Sequence, residues 1–499
     1  MASLKKLAGQ TVWYGVSNIA VRLLTYLLTP YLTHVLTGPK GQVVFGQQGF
    51  LYSIFPVMNI LYTYGMETAY FRFSTTEDKL KLYRTQLTSM LVSTLFFSAL
   101  LWIFRVPAAE FAELGDRTEY VWWCAAIIGL DALSALPYAR LRKENRPRKY
   151  AATKAIGIVV FVFTIVFLYS FGDNIAKSGG IFADWYNRHW GIGFILFANL
   201  LQAIVTLVLL AKELLDYRPY IDKAIIRKVL PYSLPILIAG FAGTFNDSLN
   251  RVMFQKLYPA SSQESLRLLG FFTAALRLSI LINLAIQAFR LAAEPFFFSI
   301  SQEKNATGTY ARVMKWFVII MALMFLNVTL YIDIWKHFLS EEYRVAIGLV
   351  PVLLLSYIMF GIYTNLTVWY KLTDKTRFGT YIMIIGAVVT VVFNLALIPS
   401  WGYHACAWGM LLTNTVMVVL SYSWGQKYYP IPYNVGKLAA YLGVMLLLFF
   451  IQYGINSVTT NLAIRLSTGT ALFLGYFFFI YTQERGELQR FPVIGKFIK

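Results

Sequence analysis

The sequence predicts an all-α protein that crosses a membrane many times, and three observations support that prediction. Of the 499 residues, 58% are hydrophobic and only 14% are charged, whereas about a quarter of the residues in soluble domains are charged. Apolar runs of about 18 residues or more, close to the length that spans a bilayer, recur throughout the chain. Parts of the first half also recur in the second half. We therefore predict about fourteen transmembrane helices, arranged as two six-helix lobes in parallel pseudo-repeat around a central cavity plus two C-terminal helices.

The first predicted helix contains a charge in its interior. Residues 7–33 form an otherwise apolar run that is long enough to span a bilayer, and Arg22 lies near its middle. A charge at that depth costs about 2.5–3.5 kcal/mol on insertion scales, so such residues usually face a bundle interior or a water-filled cavity. With Asn18 and Arg22, the run is also too long and too polar for a cleaved secretory signal.

The charges of the loops predict the orientation of the helices. The formal net charge is +20, and cytoplasmic loops carry the excess of lysine and arginine in membrane proteins. Basic residues cluster in alternate short loops, most densely between Arg140 and Lys154, whereas the loop from Glu110 to Glu119 is acidic. This bias predicts that both termini are cytoplasmic, and it explains the positive charge without a nucleic-acid partner.

Three segments of the first half align, in the same order and at almost the same offset, with segments of the second half. The alignment pairs Arg22 with Arg251, Glu67 with Glu294, and Arg146 with Arg377. It maps helices one, two and four onto helices seven, eight and ten, and an even number of helices per repeat gives both lobes the same orientation. We predict an N-terminal lobe at 1–220, a C-terminal lobe at 221–428, and helices 13 and 14 with a cytoplasmic tail at 429–499.

Four arginines inside predicted helices are the candidate substrate-binding residues, namely Arg22, Arg277, Arg251 and Arg290. A guanidinium binds phosphate through two parallel hydrogen bonds, so a cavity lined by these residues would accept a phosphate-bearing anion. Structural pairing is the alternative for two of them. Asp247 precedes Arg251 by four residues and Glu294 follows Arg290 by four, a spacing that brings side chains together on one helix face.

Coupling to a proton or cation gradient would use carboxylates inside the membrane. The candidates for coupling are Asp131, Asp247, Glu67 and Glu294. Glu67 and Glu294 occupy equivalent repeat positions near the predicted cytoplasmic ends of their helices, which favours a structural role in both lobes. Asp131 and Asp247 are therefore the better coupling candidates.

Neither a catalytic site nor a metal site is predicted. The sequence contains no Gly-rich phosphate loop, no catalytic triad and no His/Cys cluster with metal-ligand spacing. Cys124 and Cys406 lie in different predicted helices, where we interpret them as small buried hydrophobic residues. We expect a protein that is not an enzyme and that uses no cofactor.

Four stretches of the sequence carry a resemblance to known membrane proteins: KKLAGQTVWYGVSNIAVRLLTYLLTPYLTHVL, GMETAYFRF, ARLRKENRPRKYA and ALRLSILINLAIQAFRLAAEPFFFS. Through them the chain resembles the multidrug/oligosaccharidyl-lipid/polysaccharide (MOP) exporter superfamily, and in particular its polysaccharide transporter branch of Wzx-type O-antigen/lipopolysaccharide flippases. The resemblance implies two six-helix lobes facing each other in a V, as in MATE transporters and lipid II flippases. It also implies a multi-pass protein of the bacterial cytoplasmic (inner) membrane.

The resemblance implies a flippase that moves an undecaprenyl-diphosphate-linked oligosaccharide across this membrane by alternating access, for O-antigen, capsule or exopolysaccharide biosynthesis. The expected partners are this polyprenyl-diphosphate glycan lipid, the bilayer, and a polysaccharide polymerase with glycosyltransferases. Arginines of helices one, two and eight line the cavity of lipid II flippases, which gives Arg22 and Arg277 that role here. In helix two the only arginine is Arg72, at the predicted cytoplasmic end, which favours an oligosaccharide lipid over lipid II.

Three alternatives stay open at this point. A drug or cation antiporter of the same superfamily would have a cavity dominated by acidic residues. A lipid II flippase would share the cationic cavity but act on a different lipid. A non-transporting scaffold of a glycan-synthesis complex would depend on its loops rather than on its cavity arginines.

Overall fold

The computed structural model describes residues 23–215 and 218–489, apart from the side chains of residues 238–239, 242–247 and 295. This described part consists of α-helices, two 3₁₀-helices (Lys336–Phe338 and Glu341–Leu349) and connecting segments, and it contains no strand. In chain order the helices are α1 (23–35), α2 (Gly38–Thr63), α3 (Met66–Phe73), α4 (Lys79–Ile103), α5 (Arg105–Phe111), α6 (Glu119–Lys143), α7 (Pro147–Ser170), α8 (Gly172–Ala176), α9 (Ile181–His189), α10 (Ile192–Leu209), α11 (Ala211–Leu215), α12 (Lys223–Leu257), α13 (Ser262–Ser299), α14 (Ala306–Leu330), α15 (Ile332–Trp335), α16 (Val350–Leu366), α17 (Val368–Leu372), α18 (Arg377–Trp401), α19 (Tyr403–Tyr428), α20 (Val435–Val458) and α21 (Leu462–Leu488).

Eleven helices of the described part are long and apolar enough to cross a membrane. The prediction of an all-α multi-pass membrane protein is thereby confirmed, whereas the total of fourteen is not. The first predicted helix lies partly outside the described residues, and α2 and α12 are not among the eleven. α2 is too polar to be among the eleven, since it contains Gln42, Gln47 and Gln48. All three glutamines are buried inside the structure.

The second predicted helix, over residues 44–71 of the sequence, is broken in the structure. It consists of α2 and α3, separated by Tyr64 (φ 32°) and Gly65 (φ 76°), which both adopt left-handed backbone conformations. A Cβ on Gly65 would lie 2.7 Å from the carbonyl oxygen of Ser233 in α12. The glycine is therefore required twice, by its backbone angle and by the close approach of a neighbouring helix.

Side-chain caps fix where four of the long helices begin, and one of them is Asn434 at the start of α20. The carboxylate of Asp78 accepts hydrogen bonds from the first-turn amides of α4, and Asp222 does the same at the start of α12. Asn461 caps α21 in the same way. An N-cap of this type stabilises a helix by about 0.5–2 kcal/mol.

The helices form two compact units, unit 1 with the described residues up to 274 together with 387–406, and unit 2 with residues 275–386 together with those from 407 onwards. The lobe boundaries predicted at residues 220 and 428 rest on the equivalence of repeated helices and stay a prediction.

Unit 1 contains a crossing in which two helix backbones touch. A Cβ on Gly46 of α2 would lie 1.7 Å from the carbonyl oxygen of Leu266 in α13, and one on Gly270 would lie 2.6 Å from the carbonyl oxygen of Gln42. Only glycine permits such an approach, which is typical of small-residue packing between membrane helices. In the predicted repeat α2 and α13 correspond to each other, so this crossing would join equivalent helices.

In unit 2, charged clusters near each end of the C-terminal helix pair α20–α21 tie it to the rest of the unit. The buried carboxylate of Glu484 binds Lys315 of α14 and Lys437 of α20, each at 2.6 Å, and accepts a hydrogen bond from the Tyr441 hydroxyl. Near the opposite end of α21, Arg465 lies 3.3 Å from the carboxylate of Asp333. The helix pair is therefore part of the packed unit.

Candidate functional site

Three of the four predicted arginines lie in the described part of the chain, and Arg22 lies outside it. Arg277 is half-buried in the middle of α13, about 22 Å along the helix from its first residue at 1.5 Å per residue. The side chains of Leu278 and Ser279 next to it are fully buried. This places a guanidinium deep within a membrane-spanning helix, where a charge normally has a functional or structural partner.

Arg251 contacts the backbone of another helix. Its Nη1 donates a hydrogen bond of 3.0 Å to the carbonyl oxygen of Gly49 in α2. A second helix of unit 1 therefore holds this guanidinium. The predicted alternative partner, Asp247, has a side chain outside the described residues, so that pairing stays untested.

Arg290 lies in a cluster of charges near the end of α13. Its side chain is 55% exposed, and its Nε lies 3.9 Å from Oε1 of Glu294. Lys371 of α17 is much closer to the same carboxylate, with its Nζ at 2.6 Å. Glu294 thus binds mainly Lys371, which leaves Arg290 only loosely held by its predicted partner.

Glu67 forms the corresponding ion pair in unit 1. Its carboxylate binds the guanidinium of Arg142 in α6, and that guanidinium lies 4.8 Å from the ring centre of Phe71. Glu67 and Glu294 occupy equivalent positions in the predicted repeat. Each carboxylate binds a cation that lies two membrane helices further along the chain. This geometry favours the structural role that the sequence suggested for both.

A polar cavity of about 390 Å³ lies among α2, α3, α6, α7 and α10 of unit 1. It contains Asp131, the coupling candidate in the middle of α6, together with the Glu67–Arg142 pair. The residues that line it are Asn59, Thr63, Glu67, Asp131, Ser134, Ala135, Tyr138, Arg142, Tyr150, Lys154, Gln202 and Thr206. All of them except Ala135 have a polar side chain.

Two aromatic rings and a lysine organise one wall of the cavity. The Lys154 ammonium lies 4.3 Å from the ring centre of Tyr138, and the rings of Tyr138 and Tyr150 meet edge to face with centres 5.1 Å apart. Gly157 of α7 allows α10 to approach, because a Cβ there would lie 2.9 Å from Oγ1 of Thr206. The glycine thus brings α7 and its tyrosine and lysine close to α10.

Sequence reasoning identified Asp131, Glu67 and the basic loop but missed most of the cavity lining. The missed signal is a spacing of three or four residues between polar side chains within apolar helices. Asn59 and Thr63 show it in α2, and Gln202 and Thr206 show it in α10. Such a stripe identifies an inward-facing side of a membrane helix, but it does not say which stripes share a cavity.

An ion pair and a hydrogen bond hold the loop between α5 and α6 against the α12–α13 connection in unit 1. The carboxylate of Glu113 binds Lys256 at 2.6 Å and accepts a hydrogen bond from Ser262, while its backbone carbonyl accepts one from Gln47. Burial alone would raise the pKa of the Glu113 carboxyl, but the hydrogen bonds from Lys256 and Ser262 lower that pKa below its usual value. Glu113 is thus held ionised where the loop meets α2.

In the described residues, no three His, Cys, Asp or Glu side chains come together as a metal site would require. Cys124 and Cys406 are buried free thiols, as predicted.

Comparison with known proteins gives one family match. The family model described as "Polysaccharide biosynthesis protein" matches residues 7–301 of this chain. No curated protein matches the chain in sequence.

Several solved structures share the fold over most of the chain. One is the lipid II flippase MurJ in an inward closed conformation, with a TM-score of 0.69 and 12% identity, covering 95% of this chain and 99% of that one. An inward-facing multidrug resistance MATE family transporter of the MOP superfamily has a TM-score of 0.57 and 15% identity, with 84% and 94% covered. A MOP superfamily transporter from Pyrococcus furiosus has a TM-score of 0.58 and 15% identity, with 84% and 95% covered. At these identities the matches show a common fold.

Proposed function

Because the chain belongs to the polysaccharide biosynthesis protein family, whose model matches more than half of its length, we propose that it is a lipid-linked oligosaccharide flippase. It moves an undecaprenyl-diphosphate-linked oligosaccharide across the bacterial inner membrane by alternating access, for O-antigen, capsule or exopolysaccharide biosynthesis. Both termini lie in the cytoplasm. The polymerase and glycosyltransferases that act on the same lipid are its protein partners.

The family match is the observation that carries this proposal, and the fold supports it. The chain has the MurJ and MATE fold of the MOP superfamily, a fold of flippases and transporters rather than of enzymes. The lipid II flippase structure covers 95% of the chain, whereas the multidrug transporter structure covers 84%. This difference favours a lipid substrate over a drug.

The substrate's diphosphate binds the arginines that lie inside the helices. Arg277 in the middle of α13 and Arg22 of the first predicted helix hold it through charge-assisted hydrogen bonds, each of which contributes about 1.5–3 kcal/mol. The loosely paired and exposed Arg290 meets the diphosphate as it enters from the cytoplasm. Arg251 is already bonded to the Gly49 carbonyl, so its part is to hold α12 against α2 near the site.

The membrane potential can drive the outward step. Moving one negative charge outward across about 100 mV gains about 2.3 kcal/mol, so the diphosphate supplies a driving force without a proton relay. Of the four acidic candidates, Glu67 and Glu294 are engaged in ion pairs, and Asp247 has a side chain outside the described residues. Asp131, open to the unit 1 cavity, and Asp247 therefore stay the candidates for any additional ion coupling.

Replacement of the two arginines tests the proposal. Arg22→Ala and Arg277→Ala should each lower the translocation rate of undecaprenyl-diphosphate oligosaccharide in proteoliposomes at least about tenfold, because one lost charge-assisted hydrogen bond already gives that factor. Arg188→Ala, a control with a 63% exposed side chain bound to Glu119, should translocate at the normal rate. Full activity of both arginine variants, with normal protein levels, would exclude this mechanism.

A lipid II flippase is the second candidate, favoured by the MurJ match. Lipid II and the oligosaccharide lipid share the polyprenyl diphosphate and differ in the glycan. Offering both lipids to the same proteoliposomes separates the two functions, and we expect faster translocation of the oligosaccharide lipid. Efflux of a cationic dye would instead indicate the drug antiporter.

A further inference from the structure

The unit 1 cavity carries charges of both signs in equal number. Two carboxylates, Glu67 and Asp131, and two cations, Arg142 and Lys154, line it, so its formal net charge is zero. Asp131 lies in the middle of α6, and an ionisable residue inside a membrane helix is rare and marks a substrate or ion path by default. A ligand of this cavity is therefore expected, and its charge can be argued from the lining.

A neutral ligand fits this lining better than a charged one. A diphosphate would meet the carboxylate of Asp131 as well as the cations, and a cationic drug would meet the ammonium of Lys154. An apolar ligand finds only Ala135 as an apolar side chain in the lining, and it would leave the polar groups there without hydrogen bonds. What remains is a neutral molecule that both donates and accepts hydrogen bonds over its whole surface.

Sugar hydroxyl groups have this property. Asn59 and Gln202 each offer an amide donor and a carbonyl acceptor, and Thr206 adds a hydroxyl group. The Ser134 hydroxyl donates to the Leu130 carbonyl oxygen and so offers an acceptor. The volume of about 390 Å³ lies within the range of roughly 300–1,000 Å³ that is typical of small-molecule sites. It accommodates a short segment of a glycan rather than a whole oligosaccharide.

We propose that this cavity is a saccharide-binding site, which holds neutral sugar residues of the transported lipid's glycan within unit 1. This inference rests on the proposed flippase function and deepens it. The lipid is then recognised at two places. Arginines within helices bind the diphosphate, and the amides and hydroxyl groups of α2, α6 and α10 bind the glycan.

Two lipids that differ only in the glycan provide the test. The full-length chain in lipid nanodiscs is titrated with undecaprenyl diphosphate and with the native lipid-linked oligosaccharide, and bound lipid is quantified. The wild-type protein should bind the glycan-bearing lipid more tightly. Asn59→Ala and Gln202→Ala should each weaken that binding about three- to tenfold, the effect of losing one neutral hydrogen bond, and leave binding of undecaprenyl diphosphate unchanged.

Asn199→Ala is the matched control. Asn199 lies on α10 three residues before Gln202, its side-chain amide bonds to the Tyr52 hydroxyl, and it does not line the cavity. This variant should bind both lipids as the wild type does, and melting temperatures of all three variants check their folding.

The outcomes separate this inference from the proposed function. If the wild type binds both lipids with equal affinity, the saccharide site is overturned and the flippase proposal stays intact. The same conclusion follows if Asn59→Ala and Gln202→Ala weaken the binding of both lipids equally. A change in sodium or proton dependence without any change in glycan affinity also overturns it and assigns the cavity to ion coupling. If the wild type binds neither lipid, both proposals are overturned.

Discussion

The cavity of unit 1 and the equivalent region of unit 2 are built from matching helices but differ in polarity. When the fourth predicted helix is aligned with the tenth, Asp131 corresponds to Ile362 and Tyr138 to Trp369. Unit 1 has a polar cavity of about 390 Å³ at this place. In unit 2, Trp369 is fully buried and packs against Phe378 with ring centres 5.4 Å apart.

The two units share an ion pair and differ in the size of the space beside it. Both units keep an acid–base pair at the matching helix end, Glu67 with Arg142 and Glu294 with Lys371. Next to the second pair, unit 2 has a space of only about 20 Å³, barely enough for one water molecule. An ion pair is therefore present in both units, whereas the space beside it is large in unit 1 and small in unit 2.

Exchanging the residues at the matching positions should give the largest effect. Ile362→Asp places a carboxylate in a buried apolar site without a partner, which should cost about 3–5 kcal/mol and leave little folded protein. Asp131→Ile acts on a site that is open to a polar cavity, so its stability should change by no more than about 1 kcal/mol. Melting temperatures in detergent measure both.

Ile362→Val is the control for the exchange, because it removes one methyl group at the same site and should cost only about 0.5–1.5 kcal/mol. If Ile362→Asp were as stable as Asp131→Ile, unit 2 would be as open as unit 1, and the contrast between them would be lost.

A glycine in unit 2 offers a smaller test of the same contrast. A Cβ on Gly361 would lie 2.5 Å from Cζ of Phe317 and 3.1 Å from Cδ1 of Ile286. Its counterpart in unit 1, in the same alignment of the two helices, is Leu130. Gly361→Ala should destabilise the protein by about 1–3 kcal/mol through overpacking, which melting temperatures in detergent measure.

Gly443→Ala is the control for this substitution. Gly443 is in α20, and a Cβ added to it would meet no atom within 4 Å, so alanine there should be neutral or stabilise the helix by up to about 1 kcal/mol. Equal stability of the two alanine variants would mean that the aromatic packing around Gly361 yields easily.

Sequence reasoning predicted the helical fold and the family, because these depend on local composition and on sequence motifs. The equivalence of Glu67 and Glu294 stays a prediction from the repeat. It did not predict the break at Tyr64 and Gly65, which depends on the approach of Ser233 from α12, a helix that is distant in the chain. It also missed Lys371 as the partner of Glu294, since an (i, i+4) arginine was the only partner visible in the sequence.

The cavity shows the same limit. Asp131 was recognised as a charge within a helix, but Gln202 and Asn59 are uncharged and gave no signal on their own. They become part of a site only because α2, α6 and α10 pack around the same space, and packing between distant helices depends on contacts such as that of Gly157 with Thr206. Prediction from one sequence therefore found charges and missed the neutral residues between them.

The smallest effect is expected where the two units agree. The side chains of Glu67 and Glu294 are 42% and 43% exposed, so solvent screens both ion pairs, and Glu67→Gln and Glu294→Gln should each cost less than about 1 kcal/mol. Because the pairs have the same structural role, the two costs should be similar and the pH dependence of transport should not change. Double-mutant cycles with Arg142→Met and Lys371→Met measure each pair directly. A shifted pH profile in only one glutamine variant would assign that carboxylate to coupling, and the two units would then differ in their ion pairs as well as in their cavities.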